Sequence, residues 1–161
     1  MKLRKTVILV AIGLVISVAL AVAQEHRLVI VTNDANYELA QFWINFLKAE
    51  SVPLIRIKAS EMDKYKKEKY LAILGGPNET EGIGDIVNQL LTKEEVNFVS
   101  QPGNSKMYLK SDVWAEGQRV IIFAGATKAD VERARRNSLE KWMESLNDWF
   151  NDVFFSIPCC N

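Results

Sequence analysis

Three short apolar runs, "RLVIVT" (Arg27–Thr32), "VPLIRIK" (Val52–Lys58) and "YLAILGG" (Tyr70–Gly76), are separated by segments of helical period. The first and third are branched and apolar at almost every position. That is the pattern of strands covered on both faces. "VPLIRIK" alternates towards its end, which suits an edge. Between the first two runs, Leu39, Trp43, Phe46 and Leu47 recur at helical spacing, and Asn33 or Asp34 is placed to cap the start. "SEMDKYKKEK" is predicted as a short polar helix capped by Ser60. Ile83, Ile86, Val87, Leu90 and Leu91 mark an amphipathic helix. Thr92 and Glu95 match a capping box that opens a further helix through Val99.

"KMYLKSDVW" and "QRVIIFAG" are predicted as two strands joined by a turn at Gly117. The last segment starts on another capping box, Thr127 and Asp130. It keeps its period through Val131, Ala134, Leu139, Trp142, Met143, Leu146, Trp149, Phe150 and Val153. At ~1.5 Å per residue a single helix here would be on the order of 40 Å long. The order is then β-α-β-α-β-α-(α)-β-β-α. Such alternation calls for an α/β fold: a three-layer, mostly parallel sheet with helices on both faces. The expected type is flavodoxin-like or Rossmann-like. Strand order is 2-1-3 with later strands beside strand 3, an antiparallel hairpin is added, and a long C-terminal helix follows.

The N-terminus reads differently. Lys2, Arg4 and Lys5 precede an apolar run from Thr6 to Leu20, and Ala21-Val22-Ala23 forms an A-x-A site. Residues 1–23 are a secretory signal peptide on this layout, or an uncleaved signal anchor. Either way the domain, residues 24–157, is expected outside the cytoplasm. Loss of residues 1–23 leaves 138 residues, enough for one domain with a full core. Three of the 20 basic residues go with that segment and none of the 20 acidic ones, so 17 against 20 gives a net charge of −3. No Lys/Arg cluster offers a nucleic-acid footprint. "KYKKEKY" (Lys64–Tyr70) is the densest basic patch and is expected to be a solvated helix face.

Cys159 and Cys160 are adjacent in the tail, residues 158–161. A bond between neighbours closes no long loop. The choices are a strained vicinal disulfide, a disulfide to another chain that would make an oligomer, or free thiols. Two thiols lack the further ligands that a zinc site needs.

In a doubly wound sheet, ligands bind outside the carboxyl ends of the strands where chain direction switches. That crevice would be lined by Asn33, Asp34 and Asn36 after the first strand and by Gly75 and Gly76 after the third. These five are the ligand-binding candidates. The glycines do not follow a dinucleotide pattern, Pro77 removes an N–H, and Glu79, Glu81 and Asp85 bring negative charge. The stretch is therefore expected to be a sharp exit turn leading into a helix, and no cofactor and no metal are expected. Asp34 could serve as a base or hold a hard cation, against its plainer use as a helix cap. The one histidine, His26, lies near the expected cleavage point. That removes the usual Ser-His-Asp and Cys-His arrangements, and no catalytic residue is assigned.

Asn78-Glu79-Thr80 is an N-x-T sequon, which makes Asn78 a glycosylation candidate. Trp114 either packs over the sheet or offers a face to sugar. A helix outrunning the sheet would leave Trp142, Trp149, Phe150 and Phe154 as an exposed partner surface.

The stretches "YLAILGGPNETEGIGDIVNQLL" and "DVWAEGQRVIIFAGATKADVERAR" together resemble the small α/β modules of archaeal surface-layer (S-layer) and related exported proteins. The matching positions are Gly75, Gly76, Pro77, Trp114, Gly117, Gln118, Ala124 and Gly125, within about residues 27 to 136. The resemblance implies cell-surface location and structural or binding work, and it supplies no catalytic residues. The expectation is thus a non-enzymatic cell-envelope domain that binds an envelope protein or glycan. Two alternatives stand beside it: an enzyme or small-ligand receptor using the crevice, and an accessory subunit of a membrane complex held by its N-terminal segment.

Overall fold

A computed structural model describes residues 26–150. The N-terminal segment, Phe154, Cys159 and Cys160 lie outside the described residues. Five strands, β1 (Leu28–Thr32), β2 (Leu54–Ile57), β3 (Tyr70–Leu74), β4 (Ser105–Ser111) and β5 (Arg119–Gly125), form one sheet in the order β2-β1-β3-β5-β4. All neighbours are parallel except β4 and β5, which make the antiparallel hairpin. The three-layer α/β reading and its 2-1-3 start hold.

Side-chain alternation along each strand divides the core in two. Leu28 and Ile30, Tyr70, Ala72 and Leu74, and Ile121 and Phe123 face one layer. That layer holds α1 (Asp34–Ala49), α5 (Lys128–Asn137) and α6 (Leu139–Trp149). Val29 and Val31, Leu71 and Ile73, and Val120 and Ile122 face the other. There α2 (Met62–Tyr65), α3 (Ile83–Leu90) and α4 (Lys93–Val99) cover the sheet. Strands β1 and β3 are buried at every position, which is why their sequences show no polar face. Trp114 packs partly buried against the second layer. Within α1, Trp43 and Leu47 are buried while Leu39 stays exposed.

Three expectations about helices need correction. Ser60 does not cap; it lies inside a 3₁₀ turn, Ala59–Glu61, with Lys58 at the cap position. The basic stretch is not one helix face, since α2 ends at Tyr65 and Lys66 and Lys67 form a turn.

The largest correction concerns the last helix, which is broken at Ser138 (φ −111°, ψ 20°). Asn137 and Ser138 are both poor helix formers, because their side chains compete for backbone hydrogen bonds. The break frees the Arg135 carbonyl, which then accepts from the Trp142 indole Nε1 at 3.1 Å. The chain folds back instead of outrunning the sheet. Trp142, Trp149 and Phe150 are consequently buried, and the exposed partner surface assigned to them is not there. Trp142 meets Trp43 edge-on at 5.4 Å, and Trp149 stacks on Tyr70 at 5.0 Å.

α5 carries an ion cluster in which Arg135 is buried, Glu132 partly buried and Arg136 exposed. Glu132 accepts from Arg135 Nε at 2.9 Å and from Arg136 Nε at 2.8 Å. Burial alone would raise the Glu132 carboxyl. Hydrogen bonds and charge from the two arginines outweigh it, and the pKa lies below the ordinary 4.5. A carboxyl depressed in the folded state adds stability above its unfolded pKa, and that stability is lost as pH falls through the folded value. Resistance to denaturant should therefore fall as pH drops below about 4.5. Glu132→Gln should flatten that acid dependence and cost about 2 kcal/mol at neutral pH, because Arg135 is left buried beside an uncharged partner.

Candidate functional site

The crevice expected from topology exists as a place in the fold. Thr32 and Leu74 end β1 and β3 side by side, and the chain leaves them towards opposite layers. Asn33 caps α1: its Oδ1 accepts from the Asn36 backbone N–H at 2.8 Å. An uncovered helix start at this position would favour an anion.

That position is filled by the chain itself. Glu79 reaches back from the loop after β3, and its Oε2 accepts from Asn33 Nδ2 at 2.8 Å. Its Oε1 accepts from Asn36 Nδ2 at 3.0 Å. Both asparagines are buried, and the carboxylate sits over the first turn of α1. The negative charge expected only to repel a phosphate instead takes a phosphate's place. Asn36 Oδ1 is buried without a partner, which leaves one acceptor in the crevice unused.

The glycines mark where backbone segments pack closely beside the crevice. Gly75 N–H donates to the Phe123 carbonyl at 3.1 Å, extending the β3–β5 ladder past the end of β3. A β-carbon on Gly76 would overlap the Gly125 carbonyl oxygen and lie 3.0 Å from its carbon. On Gly84 it would lie 2.7 Å from the Pro77 carbonyl oxygen and 2.6 Å from that of Glu79. These residues are glycine because backbone meets backbone. Gly75 and Gly76 are turn geometry, as expected, and the following helix starts at Ile83. Asp85 is the acidic residue in its first turn.

Asp34 does not point into the crevice chemistry. It is exposed and paired with Arg56 and Lys58 at the end of β2. Hydrogen bonds from Arg56 and then Lys58 hold its carboxyl below the usual range, which makes it a weaker base. The third wall, after β5, is committed too. Asp130 accepts from Thr127 Oγ1 at 2.8 Å and pairs with Arg133. Asn78 and Thr80 are exposed at the tip of the loop, so the sequon faces solvent.

A second concavity lies at the opposite end of the sheet, where sequence reading placed nothing. A cleft of ≈ 540 Å³ is lined by Lys69, Tyr70, Ser111, Asp112, Arg119 and Asp148, among others. Its walls come from strand starts and from the hairpin turn. Arg119 pairs with Asp148 across it at 3.0 Å. Of the lysines before Tyr70, Lys69 alone lines it, and no local pattern marks the cleft in the sequence. Among the described residues, no His, Cys, Asp and Glu side chains group in threes or more so as to hold a metal ion, and no helix is long and apolar enough to cross a membrane. Comparison of the chain with protein-family models, curated proteins and solved structures returns no match.

Proposed function

We propose that this chain is a non-enzymatic, exported domain of the cell envelope, related to surface-layer modules, that works by binding an envelope protein or glycan. The observation that supports this reading is the closure of the switch-point crevice by Glu79, held by Asn33 and Asn36. A fold of this type concentrates its chemistry at that crevice. Here the donors that would grip a substrate are spent on an internal carboxylate, and the glycines are spent on backbone packing. The charged start, apolar run and A-x-A site support export. The exposed sequon in the crevice loop fits an outward-facing surface.

The test is protease treatment of intact cells producing the chain, followed by fractionation. The expected result is digestion from outside and recovery with the envelope. Full protection, with recovery in the cytosolic fraction, would contradict it. A second reading, a small-ligand receptor, is favoured by one feature, the unpartnered Asn36 Oδ1. A ligand there would have to donate to that oxygen and displace or bridge Glu79.

A further inference from the structure

The described chain begins and ends at one point. His26 meets the Tyr70 ring edge-on at 5.8 Å, and Phe150 lies 5.0 Å from the same ring. Tyr70 opens β3, so both ends sit at the amino ends of the parallel strands, opposite the Glu79 crevice. Upstream, Thr6–Ala23 is a stretch of 18 residues with no charge. At ~1.5 Å per residue that is close to a ~30 Å hydrocarbon core. Only Gln24 and Glu25 separate it from His26. Such a spacer reaches about 10 Å when extended. A bilayer holding the apolar run must therefore lie against the Tyr70 end.

That end is basic over one sector. Lys64, Lys67 and Lys69 are exposed, and Lys66 and Arg27 are partly so. The sector's acidic side chains are Asp63, paired with Lys66 at 2.6 Å, and Glu68, paired with Arg27 at 2.7 Å. Five basic residues thus stand against two acidic ones. The ≈ 540 Å³ cleft opens at the same end; Lys69 and Arg119 share its wall with Asp112 and Asp148, so it adds no net charge to the sector. Exposed charges act over only about 8 Å at physiological salt, so a short tether decides whether this sector feels a membrane.

We propose that the N-terminal segment stays in the membrane as an anchor and that the Tyr70 end rests on anionic lipid headgroups through Lys64, Lys66, Lys67 and Lys69. The inference rests on the export reading and adds a tether and a face. The Glu79 crevice and Asn78 then point away from the bilayer.

The test uses the full chain purified from producing cells, its intact mass recorded, and reconstituted into vesicles. One set contains about one-third anionic phospholipid and the other only zwitterionic lipid. Acetylation rates of individual lysines are read by mass spectrometry. Lys128, exposed at the start of α5 beyond the carboxyl end of β5, is the internal reference. The expected result is a slowing of Lys64, Lys67 and Lys69 relative to Lys128 of about 3-fold or more in anionic vesicles, abolished by high salt and absent in zwitterionic ones. Equal ratios in both vesicle types would overturn the face. An intact mass lacking residues 1–23 would overturn the tether. Neither outcome touches export, which protease treatment of cells reads separately.

Discussion

Replacing Gly76 with alanine is expected to cost about 4 kcal/mol or more, enough to remove most of the cooperative unfolding transition of a domain this size. Gly76 is not in the left-handed region, so the cost is steric and not conformational. An added methyl would overlap the backbone carbonyl of Gly125. That carbonyl belongs to the end of a central strand fixed on both sides, by β3 and by β4. It cannot yield as a flexible side chain would. Gly103→Ala is the control: φ is +87°, nothing lies within 4 Å, and only the left-handed penalty of about 1–2 kcal/mol applies. Urea unfolding followed by circular dichroism separates the two. A Gly76→Ala variant no weaker than Gly103→Ala would show that the two strand exits do not meet as described.

Trp142→Ala should come second, at about 3–5 kcal/mol. The side chain is 1% exposed, packs edge-on against Trp43, and supplies the indole N–H that satisfies the Arg135 carbonyl. Trp142→Phe keeps much of the volume but leaves that carbonyl buried and unpaired, so about 1–3 kcal/mol should remain lost. Had the last helix run straight out past the sheet, neither substitution would matter to stability. A loss below about 1 kcal/mol for Trp142→Ala would restore the continuous helix and its exposed aromatic face.

The sheet was readable because burial on both faces leaves a plain mark. Arg27–Thr32 and Tyr70–Gly76 lack a polar side, and their separation by helical periods leaves few topologies. The caps at Thr92 and Thr127 were equally visible, since each depends on residues three apart in sequence, and that of α1 was narrowed to Asn33 or Asp34. The break at Ser138 was not. Val131 and Ala134 before it, and Trp142, Met143 and Leu146 after it, all face the same core, so the apolar period runs through the interruption. Asn137-Ser138 is its only local trace.

Glu79 was hidden for another reason. Its partners Asn33 and Asn36 lie 46 and 43 residues away, and no local pattern reports such a pairing. A count of charges at the crevice mouth could say that an anion would be repelled. It could not say that one was already seated. The convergence of both described ends on Tyr70 likewise depends on the fold and has no signature in either segment alone.

The closed crevice is tested most directly by proton–nitrogen correlation spectra of the unmodified chain, with a nucleoside triphosphate, inorganic phosphate or a divalent cation added in turn to millimolar concentration. The signals of Asn33, Asn36, Gly75, Gly76 and Glu79 should not move. Glu79→Ala should selectively shift the side-chain amides of Asn33 and Asn36, which lose their acceptor. A saturable shift of those same signals in the unmodified chain would mean that the crevice takes a ligand and that its closure by Glu79 is wrong.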